Sequence, residues 1–163
     1  MPDRSHPPER LAMIQLLRRQ AEEATWFSTV FGNRHGLHQT DVAALGAIAQ
    51  ASSEGTPIGP AKLAETLHLS RPATTALVDR LVAAQHVVRH PDPVDRRRTT
   101  LELQPEAMAL AGAFFGRLGV AYAEVMDRFT PEQLAIVEGF LGEIVDATVA
   151  TRIELGTDDP TDA

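Results

Sequence analysis

The chain has 163 residues, 44% of them hydrophobic, enough for one ordinary domain with a core of its own and too little for a second independent one. It has no cysteine, which excludes disulfides, thiolate metal sites and cysteine-based redox sensing. The net charge of −7 argues against nucleic acid until its distribution is considered. Residues 59 to 104 hold seven Lys and Arg against five Asp and Glu, a net +2, so the remainder carries −9.

Residues 1–8 hold three prolines and read as a disordered tail without the apolar run of an export signal. A long helical pattern follows from Glu9 to about Gly32, with Leu11, Ile14, Leu17, Ala21, Ala24 and Phe31 roughly in line. NRHGLHQT reads as a loop ending in Thr40, a plausible N-cap for a helix that turns Leu45, Ile48 and Ala49 inward. After SSEGTP, Ile58 is placed to form a short first strand.

The stretch 59–104 carries the most information. Gly59 and Pro60 suit an N-cap and first helical position, and Leu63, Ala64 and Leu67 follow at helical spacing. His68-Leu69 is left as a tight turn. Ser70 is a good N-cap, and Pro72 falls in the first turn of a second helix. At about 100° per residue, Ala73, Leu77, Leu81 and Ala84 fall on one side of that helix, expected to be core. Arg71, Pro72, Thr75, Ala76 and Asp79 fall on the opposite side, free to make contacts. The period then changes to two. Pro91 and Pro93 exclude a continuing helix, Thr99, Leu101 and Leu103 alternate with Thr100 and Glu102, and the intervening loop carries Asp95, Arg96, Arg97 and Arg98. Consecutive arginines at a hairpin tip suit phosphates or a narrow, electronegative minor groove. The order reads as a helix-turn-helix followed by a wing.

From Pro105 to about Phe129 the pattern is one long helix interrupted by Gly112, Gly116 and Gly119. Each glycine costs up to about 1 kcal/mol in a helix interior, so another helix or a ligand is expected close to the Gly112 and Gly116 face. The most apolar run here, AMALAGAFFGRLGVAYA, includes Arg117 and falls short of the roughly 20 residues of a membrane span; a cytoplasmic location is expected. Thr130-Pro131-Glu132-Gln133 is a helix start with a possible capping box. Leu134, Val137, Leu141, Ile144 and Val145 then recur at helical spacing, before an acidic tail at 156–163.

SRPATTALVDRL followed by PDPVDRRRTTLEL resembles the MarR family of winged helix-turn-helix transcription regulators, including the wing signature Asp-x-Arg at Asp95-Arg96-Arg97. The resemblance implies a mainly α fold with a small β-hairpin wing, as one domain over residues 9–155. Its DNA-binding lobe would be about 40–104 and its dimerisation helices about 9–32, 105–129 and 131–155. It further implies a cytoplasmic homodimer that binds pseudo-palindromic double-stranded DNA, acting as a repressor released by a small aromatic or amphipathic ligand. Residues 70–80 would form the recognition helix, with Arg71, Pro72, Thr75 and Ala76 toward the bases. Ser70 and Lys62 would contact phosphates, Arg80 would brace the helix or contact backbone, and Arg96, Arg97 and Arg98 would line the wing, with Asp95 holding Arg97. Three positions depart from the family pattern. Ala76 stands where arginine is frequent, Gln85-His86 replaces a glycine-containing turn, and Gln104 replaces a capping threonine.

Trp26, Phe27, Phe31, His35, His38, Phe114, Phe115 and Tyr122 are the candidates for a ligand pocket, though core or interface packing is the alternative for each. The histidines lack a metal-ligand spacing, and zinc-sensing members of the resembled family draw ligands from the fifth helix, which has no histidine here. No metal and no cofactor are expected. There is no phosphate-cradling glycine motif, nucleophile elbow or H-E-x-x-H, so no catalysis is expected. The rival reading is a winged helix that binds protein rather than DNA.

Overall fold

The computed structural model describes residues 7–91 and 98–157. Among the described residues there are six helices and one two-stranded sheet: α1 (Pro8–His35), α2 (Gln39–Ser53), α3 (Pro60–Leu67), α4 (Arg71–Ala83), β1 (Val87–Pro91), β2 (Thr99–Leu103), α5 (Pro105–Met126) and α6 (Pro131–Thr157). The fold is mainly helical with a β-hairpin wing, as the sequence pattern implied. The chain divides into two compact units between Phe114 and Phe115.

In the first unit the core gathers one face from each of several short elements. Ala44, Leu45 and Ile48 of α2, Leu63 of α3, Leu77, Val78 and Leu81 of α4, Val87 of β1, and Leu101 and Leu103 of β2 form one buried cluster with Ile58. The hairpin is antiparallel, pairing Val87 with Leu103 and Arg89 with Leu101. Ile58 joins it only through an isolated bridge, its carbonyl accepting from the Leu101 N–H at 2.9 Å, so the expected first strand is reduced to a single pairing.

Two local expectations change. The second helix begins at Gln39, with His38 rather than Thr40 as its N-cap. The Asp41 carboxylate accepts the His38 backbone N–H at 2.9 Å, satisfying a donor from the third helical position as a capping-box glutamate does. On α4 the buried stripe is Thr74, Leu77, Val78 and Leu81, whereas Ala73 and Ala84 are exposed. A hydrophobicity count passes over Thr74. Its hydroxyl is satisfied by donating to the Ser70 carbonyl at 3.0 Å, so the residue can be buried with only its methyl facing neighbours.

Gly59 is more than a tolerable cap. Its φ of −98° suits any residue, but a Cβ there would lie 2.6 Å from the Thr99 carbonyl oxygen, so β2 can approach the start of α3 only over a glycine.

In the second unit α6 starts with the expected capping box. Gln133 Oε1 accepts the Thr130 N–H at 2.9 Å, and Thr130 Oγ1 accepts the Gln133 N–H at 3.3 Å. Hydrogen bonds from the Thr130 hydroxyl, and then from its own backbone N–H, hold the Glu132 carboxyl below its ordinary pKa. Of the apolar positions that recur at helical spacing on α6, Leu134 and Ile144 are half-buried while Val137, Leu141 and Val145 are exposed. A Cβ at Gly112, Gly116 or Gly119 would meet nothing within 4 Å, so no neighbour among the described residues explains those glycines. With 22 residues, α5 is long and apolar enough to cross a membrane by length and composition, which corrects the expectation that this stretch is too short.

Gly59→Ala is expected to destabilise the chain by about 1–3 kcal/mol through overpacking against the β2 backbone. Urea unfolding followed by circular dichroism checks this; unchanged stability would mean that β2 does not pass this close to α3.

Candidate nucleic-acid interface

The two helices of the reader are delimited by local chemistry. Gly59 and Pro60 open α3. Ser70 opens α4, its hydroxyl accepting the Ala73 N–H at 3.3 Å. Both helices close with paired bonds of the Schellman type. At the end of α3 the His68 N–H bonds the Glu65 carbonyl and the Leu69 N–H bonds the Ala64 carbonyl; at the end of α4 the Gln85 N–H bonds the Val82 carbonyl and the His86 N–H bonds the Leu81 carbonyl. That motif needs a left-handed residue. His68 (φ 55°) and Gln85 (φ 58°) supply it without being glycine. The family's usual glycine at the turn into the wing therefore has a physical role that Gln85 fills at a cost.

With Thr74, Leu77, Val78 and Leu81 turned inward, α4 leaves Arg71, Pro72, Thr75, Ala76, Asp79 and Arg80 on its exposed side. The Thr75 hydroxyl donates to the Arg71 carbonyl at 3.0 Å, which spends its proton within the helix and leaves the oxygen as an acceptor beside a methyl group. Thr75 and the neighbouring Ala76 thus present two methyls and one acceptor, suited to a thymine methyl and an exocyclic amine. Lys62, on α3, pairs with Glu65 at 3.0 Å; both are about 70% exposed, so the pair adds little to stability and Lys62 is cheaply diverted.

Two ion pairs lead from successive residues of α4 to different elements. Asp79 accepts from Arg89 of β1 at 2.6 Å, with both side chains partly exposed. The Arg80 guanidinium donates to Asp41 Oδ1 through Nε at 3.1 Å and through Nη2 more closely, and the Asp41 side chain is only 3% exposed. Arg80 is thus directed back to the start of α2, the bracing role among those considered for it. Asp41 and Arg89 were missed from the sequence. Their partners lie 39 and 10 residues away, and no local pattern announces them.

Asp95, Arg96 and Arg97 lie outside the described residues; Arg98 is described and exposed. Below the tip, His90 Nε2 lies 3.1 Å from Glu102 Oε2 across the hairpin.

The pocket candidates separate. Phe27, Phe31, Phe114 and His35 come together: the Phe114 centroid is 4.7 Å from that of Phe27 and 5.1 Å from that of Phe31, while His35 is 4.7 Å from Phe31. The Arg34 guanidinium sits 5.8 Å from the Phe114 ring, a contact the sequence did not suggest. Trp26 is not part of this cluster. Adjacent helical positions point about 100° apart, and Trp26, 65% exposed, lies in an open groove with Arg18, Ala21, Glu22, Thr25 and Thr29. His38 is exposed, and its backbone is engaged in the cap of α2. Phe115 and Tyr122 belong to the second unit. No group of three or more metal-ligating side chains occurs among the described residues.

A MarR-family model matches residues 35–98, a segment that takes in α2, α3, α4 and β1 and ends just before β2. Over this segment the chain is similar to the MarR family. It is 29% identical over 133 residues to the uncharacterized HTH-type transcriptional regulator YcgE of Bacillus subtilis (strain 168), covering 82% of this chain and 84% of that protein. Among solved structures, apo MarR from E. coli matches with a TM-score of 0.55 at 21% identity, over 87% of this chain and 98% of that one. The S. aureus MepR-DNA complex matches at 0.59 and 16% identity, and MepR bound to ethidium bromide at 0.55 and 16%; each covers 82% of this chain and 94% of the other. These structural likenesses establish the winged-helix fold.

Because Gln85 occupies a left-handed backbone at an exposed turn, Gln85→Gly is expected to raise stability by up to about 1 kcal/mol. A thermal melt checks it; a lower midpoint would mean that the Gln85 side chain is needed at the turn.

Proposed function

We propose that the protein is a homodimeric, cytoplasmic repressor that binds a pseudo-palindromic double-stranded DNA site and is released by a small aromatic or amphipathic ligand. The observation that carries the DNA-binding part is the exposed face of α4. Arg71, Thr75 and Ala76 stand clear of a helix whose opposite side is locked into the core, in a chain whose positive charge concentrates in this region. Arg71 would reach base edges or phosphates, and Ser70 and Lys62 would take phosphates beside it. Asp95, Arg96, Arg97 and Arg98 would form the wing contact, with Arg97 in the minor groove and Asp95 orienting it. Two recognition helices about 34 Å apart would then enter successive major grooves.

The dimer reading is supported by apolar surface that the single chain leaves open. Ile136 is 73% exposed, Val145 59% and Leu155 70% on α6, and Leu11, Ile14 and Leu16 on α1 are also exposed. Exposed apolar area of this extent marks a partner surface, and a second copy would also give Gly112 and Gly116 a close neighbour. In this arrangement the dimerisation helices are those proposed over about 9–32, 105–129 and 131–155. The same contact accounts for the apolar character of α5 without a membrane. The ligand reading is supported by the Phe27, Phe31, Phe114 and His35 cluster, and by the binding of an aromatic cation, ethidium, to the similarly folded MepR.

Affinity measured on a random duplex and on a duplex selected from a random pool, across a series of salt concentrations, tests this reading. Arg97→Ala is expected to weaken binding to both and reduce the salt slope by about one. Thr75→Ala is expected to alter the preferred base while leaving the slope unchanged. Absence of salt-dependent binding to any duplex would favour a protein-binding winged helix instead.

A further inference from the structure

We infer that Asp41 is a positioning residue for base recognition, setting the pose of α4 through Arg80 without itself touching DNA. The inference rests on the DNA-binding reading above and assigns to the pair a task that the outward face of α4 cannot perform for itself.

The Asp41 carboxylate does two things at once. It accepts the His38 backbone N–H at 2.9 Å, which fixes it to the first turn of α2, and it takes both Nε and Nη2 of Arg80 on Oδ1. Its side chain is 3% exposed, so the charge is held where water cannot substitute for the missing partner. A guanidinium forked onto one buried oxygen constrains distance and also rotation about the α4 axis. Rotation is the coordinate that matters for reading. Arg80 lies nine residues after Arg71 and five after Thr75 on the same 13-residue helix, so turning α4 displaces every outward side chain together. The hydrophobic stripe Leu77, Val78 and Leu81 holds α4 against the core, but apolar packing is non-directional and tolerates small rotations better than a fork on a fixed acceptor. Arg80 is therefore directed inward as a strut, and its charge is spent within the fold rather than on a phosphate.

The experiment uses the full-length chain and the Asp41→Asn variant, which keeps the side-chain shape and an oxygen for the α2 cap but removes the charge. Arg80→Gln and the double variant complete a cycle. Anisotropy titrations measure affinity for a duplex selected by the wild-type protein and for a random duplex, each over a range of KCl, with circular dichroism confirming helix content. The ratio of selected to random affinity is expected to fall roughly tenfold in each single variant, a loss of the order of one mismatched base pair. The double variant is expected to fall no further, because both singles break the same contact. The salt slope of Arg80→Gln is expected to match that of the wild type.

A ratio within twofold of wild type in Asp41→Asn overturns the inference. So does equal loss on both duplexes, which marks a purely structural role, and so does a slope reduced by about one in Arg80→Gln, which places Arg80 on a phosphate. If the wild-type protein selects no sequence and shows no salt-dependent binding, the DNA-binding reading itself fails and this inference falls with it. A wild-type protein that binds selectively separates the two failures.

Discussion

The reader depends on one nearly buried carboxylate. Asp41 sits at the third position of α2, ties the backbone entering that helix, and holds Arg80 of α4 from below. Removing Arg80 would leave the charge in a poorly solvated site, at roughly 1–3 kcal/mol for a lost charged hydrogen bond. The lower part of that range applies, because the Arg80 side chain is 48% exposed and partly screened. The pair's consequence is geometric as much as energetic. It converts a helix resting on an apolar cluster into a helix with a defined rotation.

The rest of the reader extends that definition. Ser70 starts α4 and the Schellman closure at Gln85 ends it within one residue of the first wing strand, so the chain enters β1 in a fixed direction. Asp79 and Arg89 link the helix to that strand, and Gly59 lets β2 lie directly against the start of α3. Ile58 pins the hairpin to the same region with a single bridge. The result is a helix and a wing base held by many short-range constraints, whose projecting groups are few and chemically simple. The remainder of the chain is acidic, so under the proposed function a phosphate backbone would be favoured at this segment over the rest.

What could be read from the sequence follows from how local each cause is. Ser70 with Pro72, Gly59 with Pro60, and Thr130 with Gln133 act within a single helical turn, and each appears where its spacing placed it. The change from helical to alternating periodicity after Ala84 likewise located the wing. Thr74 escaped because its polarity hides a satisfied hydroxyl, and His38 escaped as a cap because the capping oxygen comes from Asp41 rather than from the cap residue. The Asp41 pairing could not be read at all: it joins residues far apart in sequence, and only the fold brings them together. Trp26 and Phe27 were grouped as aromatic neighbours, yet adjacent helical positions face different ways and only Phe27 meets Phe114.

The long helices pose a different constraint. On α6 no residue whose side chain is described is buried, and its apolar positions remain on the surface. The exposed apolar area of α6 and the cations concentrated in residues 59–104 fit the two partners proposed above, a copy of the chain and a polyanion. Amide hydrogen exchange of the full chain with and without a duplex selected from a random pool tests that organisation most directly. The account predicts slowed exchange at the start of α4 and across 92–98, with α6 unchanged because its partner is already in place. Protection confined to α6, or no protection in α4 on a duplex that the protein binds, would contradict it.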